Sequence, residues 1–182
     1  MRNMRKIILS LGISLDGYIA RSNGDVDFLF MPKDYPRTKS FARIDTAIMG
    51  RKTLIAGLKL GGGKIPGGFA YYVFSRTQSP GEKGGVTFIN DSPAAFVGKL
   101  RKRPGKDIWL MGGGELARDF LKADLVDELH LGIIPVLLGE GILLFPGGFP
   151  QRNLTLLENK TYSKGMIELK YKRVRTKAKR KS

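Results

Sequence analysis

Asp107-Ile108-Trp109-Leu110-Met111-Gly112-Gly113-Gly114-Glu115-Leu116-Ala117 is the stretch on which the reading of this chain turns. Asp107–Met111 predicts a strand, and Glu115–Lys122 predicts a helix with Leu116, Phe120 and Leu121 along one side. Three glycines at the turn between them let the backbone approach a ligand closely. The helix start adds free N–H groups and the positive end of its dipole, which together favour an anion. A tight turn with no ligand would use the same residues. The run also fits G-x-G-x-x-A, a loose dinucleotide fingerprint, but that fingerprint belongs to the first βα turn of a domain. Here it falls past the middle of the chain, no clear acid ends the next strand, and Glu140 lies in a glycine-rich loop.

Working outward, Arg5–Ile13 predicts a buried first strand, and Asp34–Arg43 a helix after Pro36. Thr46–Met49 predicts a strand ended by Gly50, and Arg51–Ala56 a short helix. Gly57–Gly68 predicts a loop able to act as a lid, and Phe69–Phe74 a strand closed by Ser75-Arg76. Val86–Ile89 predicts another strand, and Ser92-Pro93 opens a helix over Ala94–Arg101. Val126–Val136 is β-rich, and Leu154–Tyr162 with Gly165–Val174 predicts a hairpin around Ser163-Lys164. Alternating β and α units followed by a β ending specify an α/β fold. Its sheet is mixed and mostly parallel, with helices on both faces and an antiparallel C-terminal hairpin. Residues 1–174 are expected to form one domain and residues 175–182 a basic, disordered tail.

Composition excludes several functional classes. The 182 residues include no cysteine, which rules out disulfides, cysteine-ligated metals and cysteine nucleophiles, and one histidine, His130, which leaves little room for a histidine-based metal site or a Ser-His-Asp triad, so no metal is expected. The first apolar run is too short for a signal peptide and no stretch reaches the length of a membrane span, so a cytoplasmic protein is expected and a membrane partner is not. The formal charge is +16, of which seven cations and no acid fall in Lys172–Lys181. Two explanations compete: a nucleic-acid binder held by phosphates, or a phosphorylated cofactor gripped by a basic body with a solvated tail. The tail interleaves no aromatics among its charges, which argues against nucleic acid as the primary partner.

Three further motifs carry chemistry. Gly50-Arg51-Lys52-Thr53 combines a glycine, two cations and a hydroxyl at a helix start, suited to an anion or simply to solvent, and its spacing is not that of a P-loop. Ser75-Arg76 puts a guanidinium at the C-terminal end of a strand, the ligand edge of an open α/β sheet. Ser14-Leu15-Asp16-Gly17 places Asp16 either toward a site or in an Asx-turn. Three anion-suited segments after three strands match a dinucleotide with a pyrophosphate and a 2′-phosphate.

These segments in this order resemble the dihydrofolate-reductase-like superfamily. The nearer likeness is to the C-terminal reductase domain of the bifunctional riboflavin-biosynthesis deaminase–reductase (RibD) and its stand-alone relatives. The same resemblance is carried by Asp45–Thr53, by Asp124-Leu125-Val126-Asp127-Glu128-Leu129, by Ile134-Pro135-Val136 and by Leu138-Gly139-Glu140-Gly141. It implies a three-layer α/β/α fold and NADPH as cofactor. Gly12, Ile13 and Phe28 would then lie near the nicotinamide, and Gly50, Arg51, Lys52 and Thr53 would hold pyrophosphate and ribose. Ser75 and Arg76 would hold the 2′-phosphate, while Gly112, Gly113, Gly114, Glu115, Leu116 and Ala117 would cradle the pyrophosphate. Expected activity is hydride transfer to a small polar heterocycle or a sugar-like imine or carbonyl, as in 5-amino-6-(5-phosphoribosylamino)uracil or dihydrofolate reduction, with Asp16, Asp27 or an ordered water supplying the proton. A non-catalytic NADPH-binding sensor is the alternative. Where riboflavin-pathway members often carry a substrate-contacting glutamate before the glycine turn, this chain has Met111, and the deaminase half is missing. Relatives are often dimers, so a homodimer is expected, with Ile142-Leu143-Leu144-Phe145 as a candidate interface.

Overall fold

The computed structural model describes residues 4–36 and 41–175. Nine strands form one sheet, in the order β10 (Leu154–Thr161), β11 (Ile167–Arg173), β8 (Glu128–Ile134), β1 (Ile7–Ser14), β7 (Asp107–Leu110), β3 (Ile44–Gly50), β4 (Ala70–Phe74), β6 (Val86–Ile89), β5 (Gly81–Lys83). The six strands from β8 to β6 run parallel, so their C-terminal ends share one edge. β11 and β10 add an antiparallel hairpin on one side and β5 an antiparallel edge on the other. This is the mostly parallel sheet that the sequence pattern predicts.

Alternation along the strands sorts the core into two layers. Ile7, Leu9 and Ile13 of β1 and Ile48 of β3 face α2 (Pro93–Arg101) and α3 (Gly114–Lys122), meeting Phe96, Val97, Leu100, Leu116, Phe120 and Leu121. Ala47, Met49, Tyr71, Val73, Val86 and Phe88 form the opposite layer, against Leu54 of α1 (Arg51–Leu60) and Trp109. The chain moves outward through β3, α1, β4 and β6, then reverses through α2 to β7 and through α3 to β8. Right-handed crossovers in opposite directions must lie on opposite faces, which yields three layers. The reversal falls between β7 and β3, the switch point where open α/β sheets leave a crevice.

Several boundaries differ from the sequence reading. The helix expected to end at Ala56 continues to Leu60, because Leu54 and Leu58 keep an apolar side toward the sheet and the cost of Gly57 in an exposed helix is only about 1 kcal/mol. Two short strands had no alternating pattern to reveal them: β2 (Tyr18–Ala20) pairs with β9 (Ile142–Leu143) in a separate ribbon. Part of the segment expected to reach a partner is thereby used within the chain: Leu144 is fully buried, and its N–H donates to Gly17 O. The helix expected over Asp34–Arg43 has its centre, residues 37–40, outside the described residues. Of the expected tail, Arg175 donates to Asp127 and residues 176–182 lie outside the described residues.

Candidate active site

Two helices begin side by side at the crevice. α1 starts directly after β3 and α3 after the glycine turn of β7, and the Gly50 N–H donates to Gly112 O at 3.1 Å, tying the two turns together. Neither helix has a side-chain N-cap, and α1 has no acid in its first turn. By contrast α2, remote from the crevice, is capped by Ser92, whose hydroxyl accepts from Ala95 N–H at 3.3 Å. The N–H groups at the two starts are therefore left for solvent or a ligand.

The glycines of this edge have different reasons. Gly112 has φ of +101°, where a side chain is strained, and the Gly112–Gly113 peptide is cis. A Cβ on Gly114 would sit 2.1 Å from Leu143 O, so this glycine is required by the close approach of the β9 segment. At Gly50 a Cβ would meet nothing within 4 Å, and at Gly113 only Thr53 Oγ1 at 3.5 Å and Ile19 Cδ1 at 3.6 Å. The space in front of Gly50 and Gly113, bordered by the Thr53 hydroxyl, is thus an open cradle lined by backbone N–H donors.

The other predicted residues fall around it. Arg76 is 91% exposed in its side chain and donates to Glu115 Oε2 at 3.2 Å, which brings the guanidinium to the start of α3. Ser75 is buried, and its hydroxyl accepts from Thr77 and Gln78 N–H at 3.2 and 3.1 Å, so it shapes the turn that presents Arg76. Arg51 and Lys52 are exposed at the first turn of α1. Leu116 and Ala117 turn their side chains into the helix-side core, and Ala117 N–H is taken by Gly113 O. Only the start of α3 is therefore open to a ligand. Ile13 is likewise buried on the helix side, which leaves its backbone alone for the crevice. Gly12 faces the other layer, where a Cβ would come 3.1 Å from Leu29 Cδ2, and Phe28 packs beside Leu29 on the cluster of Ile134, Tyr162 and Met166.

The two carboxylates named as acids have other work. Asp16 accepts from the Ser14 hydroxyl at 2.6 Å and from Leu138 and Gly139 N–H at 3.0 and 2.8 Å, stapling the loop after β8 to the end of β1. The Ser14 bond, with those two N–H groups, holds its carboxyl below the usual range. Asp27 receives two bonds from Arg21, at 2.6 and 3.0 Å, and the Arg21 guanidinium lowers it likewise. Both are carboxylates at neutral pH and carry no proton to give.

A polar group on the Gly12 side of the sheet escaped the sequence reading. That group is His130 on β8. In register it stands opposite Ser10, two residues before the Gly12–Gly132 pair, and its Nε2 lies 3.1 Å from Glu128 Oε2. With Ser10, Tyr35, Phe41 and Trp109 it lines a cavity of about 20 Å³. The signal was present in the alternation of Glu128, His130 and Gly132 against Leu129, Leu131 and Ile133, which marks one polar face of β8.

An open, mostly parallel sheet with its crevice between two uncapped helix starts defines a reductase-type α/β fold of the dihydrofolate-reductase kind. The chain belongs to the family described as RibD C-terminal domain, whose model matches residues 5–167. Two Bacillus subtilis (strain 168) proteins are similar over nearly their whole lengths. Uncharacterized protein YyaP is 40% identical, covering 92% of this chain and 94% of its own, and uncharacterized protein YwjB is 35% identical, covering 93% and 98%. Among solved structures, a putative riboflavin biosynthesis protein from Shewanella sp. PV-4 superposes with a TM-score of 0.83 at 25% identity, covering 93% of this chain and 99% of that one. A Thermotoga maritima diaminohydroxyphosphoribosylaminopyrimidine deaminase/5-amino-6-(5-phosphoribosylamino)uracil reductase shares the fold at a TM-score of 0.72 and 15% identity. There the match covers 94% of this chain but 57% of that one.

Proposed function

We propose that this protein is an NADPH-dependent reductase of a small polar heterocycle or sugar-like imine or carbonyl. The observation that carries the reading is the pair of uncapped helix starts joined by the Gly50–Gly112 bond, with open space before Gly50 and Gly113 and the Arg76 guanidinium at the rim. Membership in a reductase-domain family, and the uracil-reductase activity in the name of the Thermotoga protein, support the same class of reaction.

In this reading the free backbone N–H groups at the starts of α1 and α3 and the Thr53 hydroxyl would hold the pyrophosphate, with Gly50 and Gly112 tying the two turns together. Arg76 holds the 2′-phosphate, and Ser75 orients it. When bound, the cofactor supplies a hydride to the electrophilic carbon. The chain's part is to orient and to exclude water. Leu29 packs over Gly12 on β1 with Phe28 beside it, and Asp16 fixes the loop at residues 138–139 to the end of that strand. Because Asp16 and Asp27 are ionised and hydrogen-bonded to other groups of the chain, we assign them to positioning and assign proton delivery to water.

The test is calorimetric and fluorimetric titration of the full chain with NADPH and with NADH, followed by NADPH oxidation against a panel of pyrimidine and pteridine substrates. Saturable binding that favours NADPH is expected. A folded preparation that gives no response at millimolar NADPH refutes the proposal.

A further inference from the structure

A cavity of about 680 Å³ lies away from the crevice, in the size range of small-molecule sites. α1 packs on β3 and β4, so the same face of β6 is left to a loop, residues 61–69. The apolar surface of the cavity comes from Leu54 and Leu58 of α1, Phe69 and Tyr71 at the start of β4, and Val86 and Phe88 of β6. The loop beside it is fastened at two points. The Tyr71 hydroxyl donates to Pro66 O at 2.9 Å, and Gly63 N–H donates to Leu58 O at 2.7 Å. Leu58 stands about 10 Å along the helix from the first turn of α1, which borders the crevice.

The charge at the rim follows from alternation on β5. Lys83 stands opposite Val86 and so shares the face of the cavity, while Glu82, opposite Thr87, looks to the other side. Gly81, opposite Phe88, adds no side chain over that ring. Gly84 and Gly85, with φ of +61° and +77°, make the tight turn that holds this register. Lys64 enters from the loop and Gln78 from the turn after β4. No acid lines the cavity, and neither Lys64 nor Lys83 has an ion-pair or hydrogen-bond partner among the described residues. An aromatic-lined hollow with two unpaired ammonium groups and an amide selects a molecule that is apolar at one end and negative at the other.

We infer that this cavity is a second ligand site, which takes a small aromatic acid with its rings against Phe69, Tyr71 and Phe88 and its carboxylate on Lys64, Lys83 and Gln78. Ring chemistry is favoured over an aliphatic chain because Phe69 and Tyr71 already meet edge to face at 5.9 Å, an arrangement that a further ring extends. The site shares no residue with the crevice and does not rest on the cofactor reading.

The test titrates the full chain with anilinonaphthalene sulfonate, an aromatic anion whose fluorescence rises in apolar surroundings. One probe per chain is expected to bind. Naphthoate should displace it, and uncharged naphthalenemethanol should do so about tenfold less well. The double variant Lys64→Glu/Lys83→Glu should weaken the probe by about tenfold or more. Both lysines are exposed, so the fold should be unchanged, which circular dichroism checks. Leu58→Trp puts a larger side chain into the hollow and should abolish binding. Gly50→Asp alters the crevice alone and should leave probe binding as in wild type, so failure of the cofactor reading is read separately. If Leu58→Trp does not fold, the lysine variant still decides. The inference is overturned by a wild type that does not bind the probe, equal displacement by acid and alcohol, or a lysine variant that binds like wild type. A folded Leu58→Trp that still binds, or loss of binding in Gly50→Asp, overturns it equally.

Discussion

Replacing Gly50 with aspartate should make the protein more stable and weaken its hold on NADPH. Gly50 is the N-cap of α1, with φ of −82° and ψ of 160°, a backbone that any residue adopts, and a Cβ there meets nothing within 4 Å. An aspartate at this position can accept from the N–H groups of Lys52 or Thr53, which no side chain caps in the native chain. The gain over glycine is a few tenths of a kcal/mol from the cap plus about 0.3–1 kcal/mol from the charge at the dipole's positive end. At about 2–4 °C per kcal/mol for a chain of this size, the melting temperature should rise by about 1–5 °C. The same carboxylate would occupy the cradle and face the pyrophosphate. Two like charges about 4 Å apart repel by about 1–4 kcal/mol between bulk water and a typical protein surface, a loss of about five- to a thousandfold in affinity. Differential scanning calorimetry and NADPH titration read the two effects separately. A variant that melts higher and still binds NADPH like wild type would show that the start of α1 is not a phosphate site. One that melts lower would show that the cap is not open.

Arg76→Ala should weaken NADPH about five- to thirtyfold, since a charge-assisted contact of about 1.5–3 kcal/mol is lost while the exposed Arg76–Glu115 pair had to be given up for it. NADH should be nearly unaffected, and equal losses for the two nucleotides would remove Arg76 from the 2′-phosphate. Gly114→Ala should destabilise by about 1–3 kcal/mol or more, because its methyl would collide with Leu143 O at 2.1 Å, and chemical denaturation will read this. Glu128 is held down to about 2 by the His130 bond first and then by Lys6 and Arg43, against an ordinary value of 4.5. Its folded pKa lies below its unfolded one, so its contribution of about 3 kcal/mol is complete above about pH 4.5 and fades as pH falls toward 2. Between pH 5 and pH 3 wild type should therefore lose about 2 kcal/mol more than Glu128→Gln, with the remainder lost below pH 3, which urea midpoints across this range will read.

The parallel sheet was legible because its units are punctuated. Gly50 closes β3, Ser92-Pro93 opens α2, and Gly112–Gly114 separate β7 from α3, each a local signal with a local cause. What stayed hidden depends on contacts across long stretches of chain. β2 and β9 exist because Tyr18–Ala20 meets a segment more than 120 residues away, and neither is long enough to show a period. The carboxylate of Asp16 looked available for chemistry until its partners at residues 138 and 139 were in place.

The glycine triplet shows why a motif alone cannot assign a site. Read as a string, Gly112, Gly113 and Gly114 are one phosphate loop. In the fold Gly112 answers to its positive φ, Gly114 to the carbonyl of Leu143, and only Gly113 faces open space. Two of the three would be needed by this packing whether or not any nucleotide were bound. The functional content lies in what the triplet shares with a distant glycine. Gly50 is joined to Gly112 by one backbone bond, and it opens a helix that is as bare of caps as α3. An ordinary fold would gain stability by capping both starts, as it does at Ser92. Leaving two adjacent helix ends uncapped at the switch point forgoes that stability at the place where an anion could supply it, and this is the ground on which we propose a binding edge rather than a tight turn.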